Sequence, residues 1–319
     1  MKRRHVAAVV TAALLAGAAW GGQALAQEKK TLALVTNASA DFWTIARRGV
    51  EKAATELPNY NVEMHVVSEA TAAEQRRILD DLLTKGVAGV SISAVDSANS
   101  TDILNKVASQ AVLFTTDSDA PQTERSLYIG TDNVAAGAEA GELVKKALPD
   151  GGKIMMFVGT MGADNARERV EGVRKALAGS KVEVIDVRTD EVDFARAKRN
   201  VEDTLTKYPD IAGLVGLWSY NTPQIVEAVR AAGKTGQVKI IGFDEDPVTL
   251  RGIADGAIEA TVVQQPYEFG YQSMKLLAKV IEGDKSFIPK DGLMIIPTKV
   301  IDKSNVAEFQ TTMRDLLKK

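Results

Sequence analysis

One stretch of this chain is written twice. LDDLLTK at 79–85 returns as VEDTLTK at 201–207, and the Ala88-Gly89-Val90 just downstream is echoed by Ala212-Gly213-Leu214. Upstream, Gly49-Val50 with Ala53 corresponds to Gly172-Val173 with Ala176, and VEMHVVS (62–68) corresponds to VEVIDVRT (182–189). VLFTTDSD (112–119) matches VKIIGFDED (238–246), which sets Asp117 opposite Asp244. Any one match is within reach of chance between two amphipathic segments. Five in the same order and nearly the same spacing indicate a duplicated architecture, with related βαβ lobes over about 31–131 and 133–263.

Within each copy, runs dense in Val, Ile and Leu alternate with segments of helical period. The strand-like runs fall at 31–36, 62–68, 88–93, 112–116, 153–158, 181–188, 212–217 and 238–243. Helical spacing covers 42–57, 72–85, 98–110, 163–178, 194–208 and 223–232. Near-continuous apolar strands, each followed by a helix of about a dozen residues, predict parallel sheets covered on both faces. A further helix (266–281), a strand (293–296) and a polar amphipathic segment from Ser304 remain after Val263. If the first lobe lacks its last strand and helix, the chain must return to it. The expectation is an α/β fold of two similar parallel-sheet, Rossmann-like lobes, with the ligand in the cleft between them. The first lobe takes residues 30–131 plus 266–294, and the second takes 133–263 plus 297–319. Three crossings, near 131–133, 264–266 and 294–298, make a three-segment hinge, because a few loop residues can absorb a rotation.

Composition removes much of chemistry. The 319 residues hold no Cys and two His, which excludes thiolate catalysis, Cys-bearing zinc sites and Fe–S clusters. His5 lies in a leading segment that reads as a secretory signal: basic Lys2, Arg3, Arg4 and His5, an apolar run Val6–Ala19, then Ala24-Leu25-Ala26 before Gln27. The apolar run is shorter than the ~20 residues a spanning helix needs. Cleavage after Ala26 then leaves His65 as the lone histidine, and a Ser–His pair or a multi-histidine metal site has nothing to stand on. It also removes three of the 39 Lys and Arg and none of the 42 Asp and Glu, leaving 36 against 42, a net charge of −6. That balance opposes nucleic acid or anionic membrane as a partner. Export of this type predicts the periplasm, where the absence of Cys suits an oxidising compartment.

In open parallel sheets, ligands bind beyond the carboxyl ends of the strands. In the first copy those positions hold Asn37, Asp41, Phe42, Trp43, Asp96 and Asp117. In the second they hold the loop Gly159–Arg167, Asp193 with Phe194, Trp218 with Asn221, and Asp244; Gln264 sits at a crossing. The collection is rich in planar hydrogen-bonding groups and large aromatics and contains no nucleophile–base pair. It suits a sugar: carboxylates, amides and a guanidinium bracket hydroxyls, and aromatic faces take the C–H faces of the ring. Blander roles stand beside these. Phe42 and Trp43 are candidates for core, although helix neighbours diverge by about 100° and cannot both face the sheet. Asp117 and Asp244 are candidates for turn or N-cap carboxylates. Arg167 is a candidate for pairing with Glu168 or Glu171, and spacing alone does not separate Arg167 from Arg169 in ARER (166–169). Gly159-Thr160-Met161-Gly162 lacks the rest of a phosphate loop and reads as a turn.

TLALVTN with the following Phe-Trp pair, YIGTDN (128–133) leading into Ala136-Gly137, ARERVEG (166–172), GFDEDP (242–247) and ATVVQQP (260–266) together resemble the periplasmic monosaccharide-binding proteins of ABC importers, of the ribose-binding type (type I periplasmic binding protein superfamily). The resemblance covers essentially the whole chain after the signal. It implies that Asn37 hydrogen-bonds the sugar and that Phe42 and Trp43 stack on it from the first lobe. It further implies that Asp117 binds hydroxyls, Arg167 supplies the guanidinium, Phe194 covers the opposite face, and Asp244 and Gln264 form a polar pair near the hinge. Two departures follow. Ser118 stands where ribose binders carry an arginine, and Trp218 stands in place of an asparagine, with Asn221 as a substitute three residues on. Asp41 also replaces a neutral residue. Ribose specificity therefore does not transfer.

The expected function is capture of a neutral monosaccharide or related polyol by lobe closure, and its delivery to the membrane permease of an ABC importer. No cofactor or metal is called for, and a monomer is expected. The alternatives are a secreted carbohydrate-active enzyme using Asp117 and Asp244 as paired carboxylates, or a sugar sensor whose closed form engages a chemoreceptor or sensor kinase.

Overall fold

The computed structural model describes residues 28–318; the signal-like segment 1–26 lies outside them. From the N-terminus the elements are β1 (Lys30–Val35), α1 (Asp41–Glu56), β2 (Tyr60–His65), α2 (Ala72–Thr84), β3 (Gly89–Ile92), α3 (Thr101–Gln110), β4 (Val112–Thr116) and β5 (Leu127–Gly130). There follow α4 (Asn133–Ala147), β6 (Gly152–Val158), α5 (Asp164–Leu177), β7 (Val182–Thr189), α6 (Phe194–Lys207), β8 (Gly213–Gly216), α7 (Asn221–Ala231), β9 (Lys239–Phe243), α8 (Pro247–Asp255) and β10 (Ala260–Val263). The chain ends with α9 (Pro266–Ile281), β11 (Leu293–Ile295), β12 (Lys299–Asp302) and α10 (Val306–Lys318).

These strands form two six-stranded sheets, ordered β11-β5-β4-β3-β1-β2 and β12-β10-β9-β8-β6-β7. Every pairing is parallel except β12, which runs antiparallel to β10 at the edge of the second sheet. The chain passes from the first sheet to the second after β5, returns after β10 to place α9 against β1 and β3, and leaves again between β11 and β12. Strands β3, β5, β8 and β10 are buried along their whole length, as strands covered by helices on both faces must be.

Small residues explain what periodicity missed. β5, α4, α8, β10 and β12 carry no clear signal in the sequence pattern. In α4 (NVAAGAEAGELVKKA) the face toward α5 is made of Ala and Gly rather than large apolar side chains. That face lets the helices touch: a Cβ on Gly172 would lie 2.1 Å from the Val134 carbonyl oxygen, and one on Gly137 would lie 2.2 Å from that of Arg169. The first lobe repeats the device. A Cβ on Gly49 of α1 would lie 2.0 Å from the Tyr267 carbonyl oxygen on α9. The duplicated Gly-Val is therefore a helix-crossing signature. The crossing in each lobe joins a helix of the main run to one that follows a passage between sheets.

Candidate functional site

Thr36–Ala40 carries the chain from β1 to α1 at the carboxyl edge of the first sheet, and Asn37 faces the space between the sheets. Its amide donates to Asp117 Oδ2 at 3.2 Å and accepts from Trp43 Nε1 at 3.1 Å. Phe42 and Trp43 are both buried and meet edge-to-face at 5.1 Å. Both belong to the first-lobe core and both line the central cavity. The choice between core and cleft therefore dissolves. The first turn of α1 lies at the end of the sheet, where the top of the core is also the floor of the cleft.

Asp117 and Asp244 occupy the same place in their lobes, just beyond β4 and β9. Both have positive φ, 58° and 64°, a conformation non-glycine residues rarely adopt. Neither caps a helix; Asp246 is the residue that caps α8, accepting from the Val248 N–H. Asp117 Oδ2 accepts from Asn37, from Ser93 Oγ at 2.7 Å, and from Asn165 Nδ2 at 3.2 Å across the cleft. Asp244 accepts from Gln264 Nε2 at 3.1 Å. Burial raises the pKa of both carboxyls, against the pull of Arg169, and brings Asp244 to about 6.

The guanidinium in the cleft is Arg169, which corrects the expectation for Arg167. Arg169 is 1% exposed. It donates Nε to Asn133 Oδ1 at 3.0 Å and Nη1 to the Leu217 carbonyl at 2.7 Å, and its plane lies 4.6 Å over the Phe243 ring. Nη2 stands 4.0 Å from Asp117 Oδ1. Arg167 lies two residues earlier, outside the cavity and two-fifths exposed. It donates to the carbonyls of Met161 and Gly162, to Asp164 and to Ser97 Oγ. One turn of helix advances 3.6 residues, so only one of the two arginines can face inward, and packing of α5 on α4 through Gly172 selects Arg169.

Two further expectations change. Asn221 does not line the cavity; its side chain accepts from the Trp218 N–H at 2.9 Å and donates to Asp190 at 2.9 Å, holding the β8–α7 turn. Phe194 is 42% exposed and stacks on Tyr220 at 4.7 Å, lining the mouth of the cleft rather than its centre. Trp218 and Gln264 do line the centre. Trp218 fits because Gly159 opposite has no side chain: a Cβ there would lie 2.1 Å from the indole. Asp96 hydrogen-bonds Asn99, and Asp193 caps α6. Asp41 opens α1 and lines the mouth. Residues not anticipated at the cavity are Asn165, Ser219 and Tyr220. The Asp-Asn step before ARER was the available signal for Asn165, since it begins the helix that carries Arg169.

The cavity between the two sheets is ≈ 310 Å³ when the part open to solvent is included, with Phe42 and Trp43 on one side and Trp218 and Tyr220 on the other. Four of its buried polar atoms have no hydrogen-bond partner among the described residues. Two are donors, Arg169 Nη2 and Trp218 Nε1, and two are acceptors, Asn165 Oδ1 and Gln264 Oε1. Buried polar atoms are ordinarily paired. A compact molecule presenting donors and acceptors together, with apolar faces, satisfies all four.

Comparison with known proteins agrees with this geometry. Residues 32–285 match the family model described as a periplasmic binding protein domain. The ribose import binding protein RbsB of Escherichia coli (strain K12) is 28% identical over 288 residues, covering 89% of this chain and 95% of that protein. An ABC transporter solute-binding protein from Burkholderia graminis, solved with D-arabinose, superposes with a TM-score of 0.82 at 28% identity, over 86% of this chain and 96% of that one. GanP, a glucose-galactose binding protein from Geobacillus stearothermophilus, gives a TM-score of 0.82 at 27% identity, over 88% and 99%. With more than three quarters of its length matched and its cleft between two parallel sheets, the chain belongs to the periplasmic binding protein domain family.

Proposed function

We propose that this protein captures a neutral monosaccharide or related polyol in the cleft and hands the closed complex to the permease of an ABC importer. The observation that carries the reading is the set of four unpartnered buried atoms, two donors and two acceptors, between Asp117 and Asp244. Hydroxyl groups are the ligand chemistry that donates and accepts at one atom, and each buried hydroxyl demands a partner, which turns ring stereochemistry into specificity. The binding of sugars by ribose import proteins and by the solved D-arabinose complex supports the same class. The site residues of this reading are Asn37, Phe42, Trp43, Asp117, Asn165, Arg169, Trp218, Asp244 and Gln264.

The moving units are residues 30–131 plus 266–294 and 133–263 plus 297–319, turning about the three crossings. A ligand that contacts both binds the closed form better and shifts the population toward it. In the cell, the segment 1–26 directs export to the periplasm and is removed after Ala26, and the protein acts there as a monomer. In this reading Asp117 and Asp244 serve as hydroxyl acceptors rather than as a hydrolytic pair, since Asn37, Ser93 and Asn165 donate to the one and Gln264 to the other, contacts that favour the ionised, accepting form of both.

The test is thermal unfolding of the purified protein against pentoses, hexoses, polyols and amino acids, with product analysis. A ligand bound only by the folded state stabilises it by roughly 4 kcal/mol at a thousandfold excess over Kd. A shift confined to one or a few sugar stereoisomers, with the sugar recovered unchanged, is the expected result. An amino acid producing the shift, or turnover of a glycoside, would overthrow the reading.

A further inference from the structure

Ser219, the small residue after Trp218, lines three spaces at once: the central cavity, the mouth beside Phe194, and a separate chamber of ≈ 1140 Å³ when its solvent-open part is included, as for the central cavity. That chamber shares Phe42, Ser219 and Asp244 with the central cavity, so the two have a common wall. The chamber is on the scale of small-molecule sites. Its walls come from both lobes and from the C-terminal helix: Ile45 on α1, Leu250 on α8, and Met313 and Leu317 on α10. Asp41, Asp244 and Asp246 in its lining are set against Arg251 and Arg314, so no strong excess of either charge selects an ionic occupant. One buried polar atom lines it without a partner among the described residues, Oε2 of Glu245, a side chain that is 5% exposed. Burial, then the neighbouring Asp244, pushes the Glu245 carboxyl well above the usual carboxylate range, which favours its protonated form, a hydrogen-bond donor to a neutral acceptor.

We infer that this chamber is an aglycone site: it takes an apolar substituent carried by the sugar of the central cavity, passing beside Ser219, with Glu245 donating to an oxygen of that substituent. The inference rests on the sugar reading of the central cavity. It makes the ligand a glycoside, or a sugar bearing an aryl or alkyl group, and it assigns α10 a part in recognition. Because α1 and α8 stand in different lobes, an occupant also bridges them and favours closure.

The experiment is isothermal titration of the purified protein with the sugar that stabilises it, and with both anomers of its methyl and phenyl glycosides. One phenyl anomer is expected to bind at least tenfold more tightly than the methyl glycoside of the same anomer. Met313→Glu, and separately Leu317→Asp at a position already 38% exposed, are expected to erase that increment while the free sugar keeps its Kd within twofold. Phenyl glycosides that bind no better than the methyl ones, or an increment that survives both substitutions, would overturn the aglycone site and leave the sugar site standing. Failure of every sugar and glycoside to bind would instead remove the central reading, and the aglycone site with it.

Discussion

The two lobes present the same aspartate in the same strained backbone conformation and treat it differently. Asp117 Oδ2 is saturated: Asn37, Ser93 and Asn165 all donate to it. Asp244 has Gln264 alone as its side-chain donor. Between them Arg169 is anchored entirely from the second lobe and its edge: Asn133 at the start of α4, the Leu217 carbonyl and the Phe243 face. The first lobe thus offers a preassembled acceptor held by its own loops, whereas the second offers a cation and a carboxylate with spare capacity. A duplicated scaffold has kept the backbone that turns a carboxylate into the cleft and divided the roles of holding and reading between the copies.

The largest break in that comparison is Arg169→Met, which leaves two buried carboxylates without their shared cation. Breaking a buried ionic arrangement from one side costs about 3–5 kcal/mol, so the melting temperature should fall steeply and sugar affinity should drop at least a thousandfold. Arg167→Met removes a partly exposed guanidinium outside the cavity and should change affinity by less than tenfold. Calorimetric titration of both variants decides. Equal losses would return the ligand-reading role to Arg167.

Next in size are Asp117→Ala and Asp244→Ala. At matched positive φ the backbone cost of alanine is the same and cancels. Asp117→Ala orphans three buried side-chain donors, whereas Asp244→Ala orphans one side-chain donor and the Gln264 N–H. With each buried unsatisfied group costing about 1–3 kcal/mol, Asp117→Ala should be the less stable ligand-free protein by about 1 kcal/mol or more. Affinity should fall about a hundredfold in both, on the scale of one charge-assisted hydrogen bond to a hydroxyl. Denaturant unfolding measures the first and titration the second. Equal stabilities would mean that the three donors to Asp117 are worth no more than the two to Asp244.

Acidity separates the carboxylates further. Asp244 titrates at about 6 when folded, against an ordinary value of 3.8, because burial disfavours its charge. The folded state therefore takes up a proton before the unfolded chain does, and between pH 6 and about 4 the ligand-free protein gains stability as pH falls. Ligand binding has the opposite sign, because hydroxyl donors need the ionised oxygens. Affinity measured from pH 7.5 to 5 should fall through a midpoint near 6, by up to about tenfold. Asp244→Asn should flatten the affinity trend and remove only its own share of the stability trend, to which Glu168 and Asp190, each raised to about 7 by burial, also contribute. A pH-independent Kd in the unsubstituted protein would mean that the sugar's hydroxyls do not read Asp244 as an ion.

Much of the architecture was legible because it is repeated: the alternation of strands and helices and the matched places of Asp117 and Asp244 stand in the duplicated segments, whereas the Gly-Val pairs were legible as a repeat but not as helix crossings. The site was legible where a residue's position after a strand determines its direction, as for Asn37, Asp117 and Asp244, and at a crossing between the lobes, as for Gln264. It failed where helical phase decides. Arg167 and Arg169 differ by two residues and about 200° around α5, and only the packing of Gly172 on Val134 fixes that phase. Asn221 failed for a related reason: three residues beyond Trp218 it has turned under the loop, where it binds the Trp218 N–H and Asp190. The segments α4 and β12 were hidden because small residues and an edge position erase the amphipathic signal.

The smallest effect tests where the lobes meet outside the ligand. Ser97, in the loop after β3, donates its hydroxyl to Asp164 at the start of α5 and accepts from Arg167, while its N–H donates to the Gly162 carbonyl at 3.3 Å. Gly162 sits against Asp96 and Val95 of the same first-lobe loop, where a Cβ would come within 3.3 Å. These contacts join the two lobes in this structure, and opening the cleft is expected to break them, so they should favour the closed form without touching the sugar. Ser97→Ala removes the side-chain links, leaves the backbone link, and should weaken every bound sugar by the same factor, about three- to fivefold, equivalent to about 0.7–1 kcal/mol for a net hydrogen bond. Uniformity is the diagnostic part. A latch shifts one open–closed equilibrium common to all ligands, whereas a residue that reads hydroxyls changes their rank order, so a Ser97→Ala profile that reorders the sugars would move Ser97 from the hinge motion into the recognition site.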